Sequence, residues 1–543
     1  MADVTEKVDP VVTNSAPNIH HEQDHRGEYI VKQDAAGRDS ESVKQSVHLK
    51  TDKNGVVLIP QPSEDPHDPL NWTWLKKHAV FASLLPGCFL TDWVITWGTT
   101  VFEQQAPQWN MSVPDVANSI SGAIFMQGPG RHMTLLMRHQ SRADDNKLGG
   151  LLAVPLCQRY GRLPVLFWSQ FLTLVCTIGA YGASSYAGFT ACRTLQGFFG
   201  APPQVIGLSM IRDMFFFHQR ARKVNLWAFS FLIGPYLGPF ISAFLAEKLA
   251  WRSNFGVLCG FYGFSVLMIL AFGDETLYDR EKQSEKVVRT GVVERIFRLT
   301  GVAGVRDCAG RPSLWEVTKD LFGLLARPYL LLPTFGFVTW ITMWTIGIVS
   351  TITQFIKPPP YLFSDTATAL MYLAPMIGTL AAEFWGHWFN DFLCNRYIKT
   401  HEGHYAPENR LWGVYPAWII GIAGLVTFGE TIQHQKSWVG IAFGWGMNCF
   451  STLGTTVAIS TYILDVFPQH AALASAWINA FRTVGGFCVV YFQVKWVHHS
   501  GPAVAFGCQA AIVAFFIVSI ITTQLRGASW RVKFPAPATS RNY

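Results

Sequence analysis

Charge is the scarcest property of this chain: Asp, Glu, Lys and Arg make up only 15% of its 543 residues, against 50% hydrophobic residues. Soluble domains carry about a quarter charged residues, so a water-soluble globule is excluded and a polytopic membrane protein is expected. No GxxxxGK[ST] phosphate loop is present, which argues against ATP as the energy source. The ten cysteines include no CxxC pair and no metal-ligand spacing. Cys176, Cys192, Cys449 and Cys488 lie inside apolar runs and read as small apolar fillers, so no metal and no cofactor is expected. No apolar h-region follows Met1, so the first membrane span is expected to act as the insertion signal.

What is present is a series of apolar runs. Residues 1–76 are polar and predict a disordered cytoplasmic tail. Taking about 20 apolar residues per crossing, the runs place helix one at 78–98, helix three at 164–181, helix four at 187–210, helix five at 224–245 and helix six at 255–272. After a polar stretch follow helix seven at 328–350, eight at 366–389, nine at 411–428, ten at 438–464, eleven at 471–492 and twelve at 504–523. With helix two this predicts an all-α membrane protein of twelve spans in two six-helix bundles, 77–272 and 328–524. A cytoplasmic central loop, 273–327, joins them, and a cytoplasmic tail, 525–543, ends the chain.

Arg159, Arg162, Arg212, Arg220, Arg222, Lys223, Arg396, Lys399, Arg410, Arg526, Arg531 and Lys533 fall on one side of this layout. The positive-inside rule then puts both termini in the cytoplasm. The +7 net charge lies in loops and tails, where it sets topology, and no nucleic-acid partner is expected. Asn110, in an Asn-Met-Ser sequon of the first outward loop, is a candidate glycosylation acceptor.

Helix two is anomalous. Apolar residues 116–130 and 150–158 are each short of a full span, and between them stand Arg131, Arg138, Arg142, Asp144, Asp145 and Lys147. Such residues cost about 2.5–3.5 kcal/mol each at a bilayer centre, so this stretch cannot lie in lipid. Deleting Arg131–Gly149 joins VANSISGAIFMQGPG to GLLAVPLCQ, an uninterrupted span. We therefore read residues 131–149 as a non-native insert, a retained intron in the gene sequence. The other reading is a genuine loop that breaks the helix.

Several motifs carry a family resemblance. LCQRYGR, with Arg159, Gly161 and Arg162, resembles the loop between helices two and three of the major facilitator superfamily, although Gln158 stands where the family has an acid. ACRTLQGFFGAPP, with Arg193 and Gln196, resembles the helix-four signature of proton-coupled members. LIGPYLGPF, with Gly234, Pro235, Gly238 and Pro239, resembles the helix-five signature of antiporters. HDPLNW before helix one is similar to the pre-helix motif of the twelve-helix fungal drug:proton antiporters. The resemblance implies two bundles around a midplane cavity with alternating access.

Asp92, in LTDWVITW, is the plainest acid inside a span of the first half and so a candidate for proton or substrate binding. The resemblance implies that Arg193 tunes a proton-carrying acid; the alternative is an Arg that satisfies helix-end carbonyls. Asn448, Tyr462, Asn479 and Arg482 are candidates for the cavity wall, with Asn479 and Arg482 three apart on one helix face. Glu383 in helix eight is a candidate structural clasp to loop basic residues, and PENRLW follows it in the next loop. Trp93, Trp97, Trp340, Trp344 and Trp477 are candidates for a stacking wall.

The expected function is a proton-coupled antiporter exporting a small organic molecule such as a drug, toxin or secondary metabolite. Its expected partners are that substrate, protons and the lipid bilayer, and it is expected to be a monomer in the plasma membrane. An uptake permease is the alternative within transport. A membrane-embedded enzyme using His387, Asp391, His401, His404, His498 and His499 is the remote one, because these groups lack a clustered third ligand set.

Overall fold

A computed structural model describes residues 29–30, 62–117, 119–127, 149–278, 291–306, 311–400, 404–467 and 470–536. Residues 131–148 of the suspected insert lie outside them, as does most of the N-terminal stretch. Ten helices among the described residues are long and apolar enough to cross a membrane. At the places of the other two expected spans, two and four, the described residues form pairs of shorter helices.

Helix four is one of these. It runs as Tyr186–Gly200 and Pro202–Met214, broken at Ala201. Pro202 and Pro203 lack the N–H groups that would continue the ladder, which bends the span there. The Thr91 hydroxyl donates to the Gly200 carbonyl at 2.9 Å, and the Cys88 thiol to the Pro203 carbonyl at 3.4 Å. Helix one is thereby laced to the bend. At the place of helix two stand Ser119–Gln127 and Gly149–Tyr160, on either side of residues outside the described set, and both pieces pack on helix eleven.

The remaining spans are longer than their apolar runs. Helix one is Trp74–Thr96, three is Arg162–Gly182, five is Phe217–Lys248 and six is Trp251–Phe272. In the second half helix seven is Pro328–Ile356 and eight is Asp365–Met371 followed by Leu373–Thr400. Helix nine is Val414–Gln433, ten is Trp438–Val466, eleven is Ala471–Ser500 and twelve is Pro502–Lys533. Helices persist past the lipid boundary because polar ends remain good helix formers in water. Arg526, Arg531 and Lys533 therefore belong to helix twelve rather than to a loose tail.

The stretch between the halves is also partly helical, as Val292–Thr300, Val302–Arg306 and Leu314–Leu325. A capping box starts the last of these: the Ser313 hydroxyl accepts from the Glu316 amide while the Glu316 carboxylate accepts from Ser313. Tyr29–Ile30 pairs antiparallel with His404–Tyr405.

Three buried apolar clusters form the core, and each includes residues from both halves: Val205 and Tyr236 pack with the second half, Leu453 and Val457 with the first, and Phe487 with helices one, four and six. Helices five and eight, and helices two and eleven, form the seam between the bundles. Close approach relies on small residues, as packing in lipid demands: a methyl on Gly424 of helix nine would meet the Gly444 carbonyl of helix ten at 2.7 Å. Outward-facing stripes such as Trp168, Phe171, Val175 and Ile178 remain exposed. Their i, i+3, i+7 spacing is that of a lipid-facing helix surface.

Candidate functional site

The centre of the seam holds an ion pair. Arg482 of helix eleven donates from Nη1 to Oδ2 of Asp92 on helix one at 2.7 Å, and both side chains are about 5% exposed. Gln204, just beyond the helix-four bend, donates to the same oxygen at 3.2 Å. The Arg482 guanidinium lies 4.8 Å from the centre of the Phe231 ring of helix five, which adds a cation–π contact. Four helices thus converge on one ion pair.

Helix five reaches this point because its glycines remove side chains. A methyl on Gly234 would meet the Phe89 carbonyl at 2.6 Å, and one on Gly238 would meet the Trp93 ring at 3.0 Å. The turn of helix one that carries Asp92 lies between those two contacts. Pro235 and Tyr236, inside the same motif, face a cavity of about 50 Å³. Asp92, Arg482, Thr96, Thr342, Thr345, Thr452 and Thr483 supply its polar lining, and Ile95, Ile124, Leu232, Ile346 and Val349 its apolar lining. Thr345 and Thr452 hydrogen-bond to each other at 2.7 Å, and Asn448 donates to Thr345 at 3.0 Å.

The other expected residues have different surroundings. Arg193 is buried and donates to the carbonyls of Val94, Ile95 and Trp97 at 2.6, 3.0 and 3.0 Å, and to Gln196 Oε1 at 3.3 Å. Gln196 in turn donates to Thr177. This is the helix-end arrangement, in which the guanidinium binds carbonyls that the end of helix one leaves open. Asn479 donates to Ser475 of its own helix, and Tyr462 is buried within the second bundle away from the cavity lining. The Glu383 carbonyl accepts from Asn225 of helix five at 3.1 Å, while its Oε2 is buried without a hydrogen-bond partner among the described residues.

The five tryptophans do not form a wall. Trp93 stacks on Trp97, Trp340 on Phe516 and Trp477 on Phe481, while Trp344 leans on Trp496. Asn110 is exposed at a left-handed turn, φ 51°.

Ion pairs lie at both ends of the bundles, within each bundle on one face and between the bundles on the other. On the face carrying the basic loops, Arg162 pairs with Asp213, and its backbone N–H donates to Glu275. Asp213 and Glu275 thus supply the acids missing at Gln158. Arg410 pairs with Asp465, and Arg531 with Glu408, so the second bundle has its own clasp built on PENRLW. His470, which precedes helix eleven here, is buried, and that burial, reinforced by Arg212, pushes its imidazole down to about 4. On the opposite face Lys357 binds Glu103 of the first bundle at 2.8 Å and Asp365 of the second at 2.9 Å. Burial works against the Lys357 charge, but hydrogen bonds to Glu103 and Asp365 outweigh it and hold the ammonium above its ordinary range. Thr366 reaches Glu247 across the same gap at 2.9 Å.

Two helix bundles packed about a polar centre in an apolar seam are the architecture of a membrane transport protein. A family model described as Major Facilitator Superfamily matches residues 148–489, and the chain belongs to that superfamily. The chain is 26% identical over 436 residues to the MFS-type transporter penM of Penicillium rubens, covering 78% of this chain and 79% of that one. It is 23% identical to the efflux pump radE of Floropilus chiversii, covering 84% of this chain and 80% of that one. Among solved structures, the human organic anion transporter MFSD10 superposes with a TM-score of 0.52 at 14% identity, covering 82% of this chain and 99% of that one. The proton:xylose symporter XylE superposes with a TM-score of 0.53 at 14% identity, covering 83% and 96%.

Proposed function

We propose that this transporter is a proton-coupled antiporter that exports a small organic molecule, such as a drug, toxin or secondary metabolite, as a monomer in the plasma membrane. The observation that carries the reading is the Asp92–Arg482 pair, which ties one bundle to the other at the centre of the seam. A proton on Asp92 cancels its charge and releases the tie. A substrate group that takes the same carboxylate also releases it. Proton and substrate then exclude one another, and each can travel only in turn, which is antiport. One charge moving down 100 mV releases about 2.3 kcal/mol for this work.

Export is supported by the helix-five motif that holds Asp92 in place and by the relative named as an efflux pump. The face carrying Arg159 and Arg162 is the cytoplasmic one in this reading, and Asn110 on the other face is a glycosylation acceptor. The insert reading also belongs here. The family match begins at residue 148, at the C-terminal edge of the 131–149 stretch, and spliced message is expected to lack codons 131–148.

Deletion and overexpression strains test the direction of transport. Untargeted comparison of medium and cell extracts is expected to show a metabolite retained inside the deletion strain and enriched outside the overexpressing one. Depletion from the medium by the overexpressing strain would instead establish an uptake permease.

A further inference from the structure

The Arg482 side chain is 4% exposed and lines the central cavity. Nη1 is engaged by Asp92, whereas Nε and Nη2 have no hydrogen-bond partner among the described residues. A buried guanidinium carries five donors in a fixed fork, and leaving two nitrogens unbonded is costly unless something else fills them. Two unbonded donors on a side chain that lines a cavity favour an oxygen acceptor there.

The charge of that acceptor follows from the site's balance. Asp92 and Arg482 cancel, and Ile95, Leu232, Ile346 and Val349 surround them. Tyr236 and Cys88 are titratable groups close to Asp92, the Cys449 thiol donates to the Tyr236 hydroxyl at 3.1 Å, and none of these brings a second cation; the buried Arg193 is held by helix-one carbonyls and is not part of the cavity lining. An anionic substrate would add an uncompensated charge to this enclosure unless a proton entered with it. It would then move with the proton and not against it.

We infer that Arg482 is the docking point for a carbonyl oxygen of an uncharged, largely apolar substrate. A hydroxyl beside that carbonyl would donate to Asp92, the oxygen that a proton takes in the other half of the cycle. This rests on the antiport reading above and deepens it by naming the substrate class. The present cavity of about 50 Å³ takes the polar end of such a molecule, and the bundles must part to admit its body.

Binding of matched probes to the purified full-length protein tests this. 2-Acetylnaphthalene and 2-ethylnaphthalene share shape and differ in the carbonyl; 2-naphthoate carries the charged alternative. Titrations followed by thermal shift at about pH 7.5 are expected to give the ketone at least about tenfold tighter binding than the hydrocarbon, the scale of one hydrogen bond to a charged group. Naphthoate is expected to bind more weakly than the ketone and to improve as the pH falls. In the Asp92→Asn/Arg482→Gln double variant, which leaves neither charge unpaired, the ketone preference is expected to shrink below about twofold.

Equal binding of ketone and hydrocarbon, a preference that survives in the double variant, or naphthoate binding tighter than ketone at pH 7.5 would each overturn the inference. If Arg482-dependent ketone binding is found but no proton gradient drives export, the antiport reading fails and the docking point stands. If acid-driven export is found for compounds that lack any carbonyl, the docking point fails and antiport stands.

Discussion

Arg482 and Asp92, 390 positions apart in the chain, meet at 2.7 Å across the boundary between the two bundles. Removing one member of such a buried pair strands the other, which costs about 3–5 kcal/mol, whereas removing both is far milder. Asp92→Asn and Arg482→Gln are each expected to lower the thermal stability of the purified protein, and the double variant to recover most of the loss. Additive losses in the double variant would show that the two side chains do not act as a pair.

Arg193 holds three carbonyls at the end of helix one. Arg193→Gln leaves buried acceptors unpaired at about 1–3 kcal/mol each, so melting temperature and expression should fall. The pH dependence of transport by the surviving protein should remain that of the wild type. A displaced pH profile at unchanged stability would assign Arg193 to proton handling instead.

Lys357 bridges Glu103 and Asp365 on the face opposite the basic loops. Glu103 is largely exposed, so this bridge is worth about 0.2–1 kcal/mol, and Lys357→Ala should raise the open fraction of that face by up to about fivefold. An impermeant maleimide reacting with a Val349→Cys reporter in the cavity measures it. Because the folded ammonium is held above its ordinary range, the bridge persists throughout the neutral range and weakens only in strong alkali.

His470 titrates with the opposite consequence. Its folded pKa of about 4 lies below the ordinary 6.5, because burial excludes the charge. The unfolded chain binds the extra proton first, so stability rises with pH between about 4 and 6.5 and is lost as the pH falls through that window. The full difference is on the order of 3 kcal/mol. His470→Gln should flatten the acid limb of a melting-temperature profile taken over this range.

Much of this architecture is legible in the sequence, because apolar run length decides what can cross a bilayer. Asp92 and Arg482 stand out as charges inside such runs, and Gly234 and Gly238 as small residues beside them. Their meeting is not legible, since nothing local relates positions 390 apart. Gln204 hides behind two prolines whose bend alone explains their presence. Thr345 and Thr452 are ambiguous because threonine in a helix commonly bonds its own backbone, as Thr345 also does with Ile341. Arg193 stands out through the helix-four motif, whereas its partners are carbonyls, which every sequence contains. Asp213, Glu275, Glu408 and Asp465 lie among ordinary polar residues of loops and helix ends, where only the fold reveals the clasps.

The most direct test of the account uses inside-out vesicles with an acidic interior and the metabolite identified by the strain comparison. Wild-type protein is expected to concentrate it uphill and to stop when the pH gradient is dissipated. Asp92→Asn, present at equal membrane levels, is expected to show no uphill accumulation. Normal accumulation with normal pH dependence in Asp92→Asn would contradict the account.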